Sequence, residues 1–185
     1  HAYNNERLED HLPAVGLSVY LSSGHFISAT FENWESEFLQ MGMYVLLTVW
    51  LRQRGSAESR PLDPAEEEER IDDGPTPGPV RAGGWAKALY AHSLALAFMV
   101  LFLVSFVLHA HGSHLHENEQ RLAQGEPPIS LTEHVSGAQF WFESFQNWQS
   151  EFLAVLSIVV LSIFLRQDKS PESKPLKAPH AQTGT

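Results

Sequence analysis

ALYAHSLALAFMVLFLVSFVL, residues 88–108, is a run of 21 residues whose only polar side chains are Tyr90, His92, Ser93 and Ser105. At 1.5 Å of rise per residue it makes about 31 Å of helix, the thickness of a bilayer's hydrocarbon core. A helix apolar on every side belongs in lipid or at the centre of a large globule, and a chain of 185 residues rarely needs the second. The composition taken whole conceals this. At 43% hydrophobic, 18% charged and a net charge of −10, the chain reads as soluble because polar linkers dilute its apolar runs.

On either side of that run the chain repeats itself. FENWESEFLQMGMYVLLTVWLRQRGSAESRPL (31–62) lies over FQNWQSEFLAVLSIVVLSIFLRQDKSPESKPL (145–176), 114 positions later, without a gap and with 17 identities. A period that long points to one structural unit used twice. The apolar parts, 38–51 and 152–165, are 14 residues each, about 21 Å of helix and short for a span. Extended back to Phe31 and Phe145 they reach 21 residues. The extension takes Glu32, Glu35 and Glu37, or Gln149 and Glu151, into the outer part of each span. Trp34, Trp50, Trp148 and Phe164 stand near the ends, as interfacial aromatics do. Membrane helices are therefore expected at about 31–53, 86–109 and 144–167. The opening His1-Ala2-Tyr3-Asn4-Asn5-Glu6-Arg7-Leu8 is the counterpart of the segment that succeeds the long run, so a fourth helix is expected upstream of residue 1.

Charge sets the expected orientation. Of 12 Lys and Arg residues, Arg52, Arg54, Arg60, Arg70, Arg81 and Lys87 precede the long run, and Arg166, Lys169, Lys174 and Lys177 come after the last. The positive-inside rule then puts 52–87 and 166–185 in the cytoplasm and 1–30 and 110–143 outside. The fold class expected is an all-α integral membrane protein. Its two helical hairpins form a tandem parallel repeat about an axis along the membrane normal, with short interfacial helices outside. Residues 1–54 are the first repeat and 85–167 the second. Residues 55–84, proline-rich with an acidic run at 66–69, read as a disordered linker, and 168–185 as a similar tail. Ser130-Leu131-Thr132-Glu133 is a capping box that starts an external helix at about 131–142, whose rings suit the headgroup level.

Candidate chemistry lies in three places. The repeated motif sets Asn33, Trp34 and Glu37 against Asn147, Trp148 and Glu151. On a helix Asn33 and Glu37 share a face, as do Asn147 and Glu151. Two such carboxylates make an ion, proton or polar-ligand site, or simply bond local groups at the interface. His109, His111, His114 and His116 could hold Zn or Cu. Their spacing gives no i, i+4 pair, and a solvated loop is the plainer reading. His92 could ligate a cofactor such as haem, or bond a neighbouring helix. No cofactor is predicted. Zero cysteines remove disulfides and thiolate metal sites. There is no glycine-rich phosphate loop, HExxH or nucleophile triad, and an acidic chain disfavours nucleic acid.

Phe-x-Asn-Trp-x-Ser-Glu-Phe-Leu and Leu-Arg-Gln-x-x-Ser-x-Glu-Ser, used twice around a long helix, resemble an uncharacterised family of small bacterial membrane proteins. The resemblance implies four helices in two hairpins in the bacterial cytoplasmic membrane, and implies no activity. The function expected is a non-enzymatic accessory or scaffold subunit, its partners being lipid and other membrane-complex subunits. The alternatives are a small transporter or ion-conducting protein using Glu37 and Glu151, and an external metal-binding protein using His109–His116.

Overall fold

The computed structural model describes residues 1–9, 12–63, 65, 67 and 71–183. They are helical, with no strand among the described residues. The elements are α1 (Ala2–Glu9), α2 (Leu17–Tyr20), α3 (Gly24–Leu47), α4 (Gly78–Ala82), α5 (Gly84–Ala91), α6 (Ser93–Ala123), α7 (Leu131–Ser136) and α8 (Ala138–Phe164). Two compact units divide the chain. Unit 1 is His1–Leu39 with Val100–Gln149, and unit 2 is Gln40–Met99 with Ser150–Thr185.

Two helices, α6 and α8, are long and apolar enough to cross a membrane. A core helix of a soluble protein would be mostly buried, but only 17% and 6% of their most apolar stretches are. Three spans were expected. The third, in α3, does not qualify by composition, because Glu32, Glu35 and Glu37 all fall inside the helix. That helix also starts at Gly24, well before Phe31, and stops at Leu47.

The long apolar run is not one helix over 86–109. It breaks at His92, whose φ of −112° and ψ of 5° lie outside the helical region, between α5 and α6. The Ser93 hydroxyl bonds the Tyr90 carbonyl at 2.8 Å, a local side-chain bond that competes with helix continuation. Beyond Leu108, α6 runs on to Ala123, so the histidine-rich stretch is helix and not loop. Nothing there breaks a helix until Gly125, whose φ of 78° needs a residue without Cβ. The external helix expected at 131–142 divides at Gly137, in extended conformation, into α7 and the start of α8. Its start is as expected: the Ser130 hydroxyl accepts the Glu133 N–H at 3.2 Å.

Unit 1 begins with an asparagine clasp. The Asn4 side chain donates to the Val15 carbonyl and accepts the Val15 N–H, both at 3.0 Å. Asn118 does the same with Ile129, at 3.1 and 2.8 Å. Arg7 Nε donates to the Pro13 carbonyl and Arg121 Nε to that of Pro127, each at 2.9 Å. Arg7 also pairs with Glu119 of α6, whose carboxylate raises the guanidinium's pKa further.

Unit 2 holds both Ser-Glu-Ser turns. The Gln53 N–H donates to the Ser59 hydroxyl, and the Gln167 N–H to that of Ser173, each at 2.9 Å. Ser56 and Ser59 are buried, so the start of the 55–84 stretch folds into a turn where a disordered linker was expected. The acidic run at 66–69 lies, Glu67 aside, outside the described residues, as do 184 and 185 of the tail. The tail is also held. Lys174 is 1% exposed, and its ammonium donates to the carbonyls of Gly55, His180 and Gln182 at 2.5, 2.9 and 3.0 Å. Burial pushes that ammonium's pKa below the usual lysine value. Glu172 bonds Glu58, and sharing a proton with that carboxylate raises the Glu172 pKa above the ordinary 4.5.

These contacts make two outcomes measurable. Asn118→Ala strands the Ile129 backbone groups and should cost about 1–3 kcal/mol, read as a lower melting temperature in detergent. A carboxyl with a raised folded pKa binds a proton more tightly folded than unfolded. The Glu58–Glu172 contact is therefore at full strength below about pH 4.5 and is lost as pH rises through the folded value. Melting temperature across that range should fall in the wild type and flatten in Glu58→Gln.

Candidate functional site

The three long helices of unit 1 turn polar faces inward. On α3 they are His25, Ser28, Glu32 and Glu35, on α6 Ser105, His109, Ser113, His116, Glu117 and Gln120, and on α8 Glu143, Ser144 and Asn147. Steps of three and four residues keep each set on one side of its helix. The apolar residues go the other way: Leu94, Val100, Leu103, Val104 and Val107 of α6 are each more than half exposed. Among the described residues the buried hydrophobic ones are Tyr3, Ala110 and Phe140, whereas eleven polar or charged residues are buried. Water-soluble domains show the reverse distribution.

At the centre, Glu35 Oε2 and His109 Nδ1 lie 3.1 Å apart, both side chains with 0% exposure. Phe140 stacks on the imidazole, centroids 5.0 Å apart and planes at 30°. Among the described residues the other polar atoms of the pair, Glu35 Oε1 and His109 Nε2, have no hydrogen-bond partner, nor has the buried Ser144 hydroxyl one turn beyond Phe140. One turn along α6 the Ser113 hydroxyl meets His134 Nε2 at 2.7 Å, and His134 Nδ1 bonds Glu117. Asn147 donates to Glu32.

Beside this network is a cavity of about 460 Å³. Its lining includes the carboxylates Glu32, Glu117 and Glu143 and the imidazoles His25, His116 and His134, with no Lys or Arg among the described lining residues. The space is many times the share of one water molecule, about 30 Å³. Its carboxylate-rich wall favours cations over anions.

Backbone contact between α3 and α6 holds the site together. A Cβ added to Gly112 would stand 2.6 Å from the Ser28 nitrogen, and one on Gly24 2.7 Å from the Gly112 oxygen. Only glycines allow that approach, the small-residue packing common where helices meet in lipid.

The expected site residues are placed differently. Glu37 is exposed in unit 1 and Glu151 half-buried in unit 2, its backbone oxygen accepting from Gln40 at 3.2 Å. Asn33 is exposed and bonds the Ala29 carbonyl of its own helix at 2.7 Å. Trp34 is 48% exposed and packs edge-on against Phe31. Trp148 packs near Phe102, its indole nitrogen buried and without a hydrogen-bond partner among the described residues. Of the motif residues, only Asn147 reaches the network. The four histidines scatter: His109 to Glu35, His114 to the Ile129 carbonyl at 2.8 Å, His116 beside His25, and His111 exposed. Among the described residues no three His, Asp or Glu side chains converge on a point fit for a metal ion. His92 is exposed at the α5–α6 break.

Sequence reasoning missed Glu35, Glu32 and His134 because identity between the two copies points elsewhere. The carboxylates that face the interior are the ones that differ, half-buried Glu32 and buried Glu35 standing where the second copy has Gln146 and Gln149. The usable signal was the three-and-four spacing of ionisable residues along otherwise apolar helices.

A family described as a domain of unknown function, DUF6766, matches residues 1–185. The chain belongs to that family. No curated protein and no solved structure matches the chain.

Gly112→Ala forces α3 and α6 apart or strains their contact. It should lower stability by about 1–3 kcal/mol in a detergent melting experiment.

Proposed function

We propose that this chain is a multi-pass membrane protein that binds and passes a proton or small cation through the polar interior of unit 1. The observation that carries this is the inverted distribution of polarity, with carboxylates and imidazoles inside and apolar side chains on the exposed faces of α6 and α8. Lipid is the solvent for which such a surface is stable, and ionisable groups kept inside it at a cost are the usual parts of ion pathways. The transport reading made from the sequence is kept, with its site moved from Glu37 and Glu151 to Glu32, Glu35, Glu117 and Glu143. No covalent chemistry is assigned to the protein.

The finer architecture belongs to the same proposal. α3 is the third span, its carboxylates facing inward rather than lipid. The matched hydrogen bonds 114 residues apart, of Asn4 and Asn118, Arg7 and Arg121, and Gln53 and Gln167, support a duplicated unit. Residues 52–87 and 166–185 are cytoplasmic by the distribution of Lys and Arg, and the membrane is the bacterial cytoplasmic one.

A second reading, an accessory subunit of a larger membrane complex, is favoured by the low burial of α8, 6%, a surface that partner helices could cover. Native-membrane purification in mild detergent separates the two: a stoichiometric partner would favour it, a lone chain would remove it.

The transport reading is tested by reconstituting the protein in liposomes and tracking an imposed pH gradient with a trapped dye. The wild type should collapse the gradient, and a Glu32→Gln, Glu143→Gln double variant should lose most of that flux. Equal rates in wild-type, variant and empty liposomes would end the proposal.

A further inference from the structure

We infer that Glu35 and His109 together form a single-proton site, loaded from water in the adjoining cavity. This deepens the transport reading by naming the ion as H⁺, and it rests on that reading for its physiological meaning only. The proton site itself stands on the geometry of the pair.

A carboxylate and an imidazole at 3.1 Å, both with 0% exposure, are costly to bury unless every lone pair and N–H is satisfied. Here, among the described residues, each partner keeps one unpartnered atom, Glu35 Oε1 and His109 Nε2. A half-satisfied pair of this kind leaves the places where a proton or a bridging water goes. Without the proton the pair is a carboxylate beside a neutral imidazole whose Nδ1–H points at Glu35. A proton taken from a hydronium ion in the cavity forms an N–H bond at Nε2, leaving water behind and a carboxylate–imidazolium pair with no net charge. Glu35→Gln offers no charge to hold that imidazolium out of water. Release reverses the step.

Other ions are excluded by space and ligands. Neither side chain has exposed surface, and Phe140, 1% exposed, covers one face of the ring. Among the described residues there is no third ligand for a metal.

The route in is short. Glu32, one turn before Glu35 on α3, and Ser113, one turn after His109 on α6, both line the cavity. A helical turn is about 5.4 Å, within reach of one or two waters. The other titratable groups around the pair are Glu32 on α3, Glu143 on α8, His116 and Glu117 on α6 and His134 on α7, the last touching Phe140 at 5.5 Å between centroids. The residue 114 positions after Glu35 is Gln149, which cannot titrate.

The test is equilibrium proton uptake by the full chain in detergent, lowering the pH from about 8 to about 5. Glu35→Gln should bind about one proton fewer than the wild type. Equal uptake by a variant that elutes and melts like the wild type overturns the proposal. If Glu35→Gln does not fold, nitrogen NMR of wild-type His109 decides. Ring resonances that shift across the range support the site, and resonances that stay fixed overturn it. Flux without this uptake would sink the proton site and leave transport standing, while uptake without flux would do the opposite.

Discussion

Glu35 and His109 meet at 3.1 Å with no solvent contact, in a unit whose buried side chains are mostly polar. That arrangement constrains the rest. A carboxyl group and an imidazole removed from water need close, fixed neighbours, because burying polar groups is costly unless their partners are held in place. Phe140 holds the ring from one side, and the glycine contact between α3 and α6 brings the two partners' helices within backbone distance. With polar groups spent on the inside, Leu, Val and Phe side chains are left to face outward.

The outward face and the inner network are two consequences of one pattern. On α6 the residues at 105, 109, 113 and 117 turn inward, while Leu94, Leu103 and Val107 point away. A helix amphipathic in this inverted sense has one comfortable environment, lipid on its apolar side and protein on its polar side. The cavity lies among the same inward groups: Glu32, Glu117 and Glu143 line a space of about 460 Å³.

Much of the architecture was legible from local pattern. The helical class came from the apolar runs and the start of α7 from the capping box at Ser130. The central network was not legible. Sequence identity between the copies singles out Glu37 and Glu151, which sit at or near the surface, over Glu35, which has no ionisable counterpart in the second copy. The histidine stretch looked like a loop because its density of polar groups masked an unbroken helical period. His134, in the short α7, carried no signal until its place beside Ser113 and Glu117 was known.

By itself the sequence determined that helices form, that one begins after Ser130, and that one of them is apolar enough for lipid. These depend on neighbours a few residues apart, through capping, propensity and period. Which ionisable groups meet was decided only by the tertiary structure. Glu35 and His109 are 74 residues apart, and no local rule pairs them. Their contact arises because Gly24 and Gly112 let two backbones touch and Phe140 of a third helix closes over the imidazole.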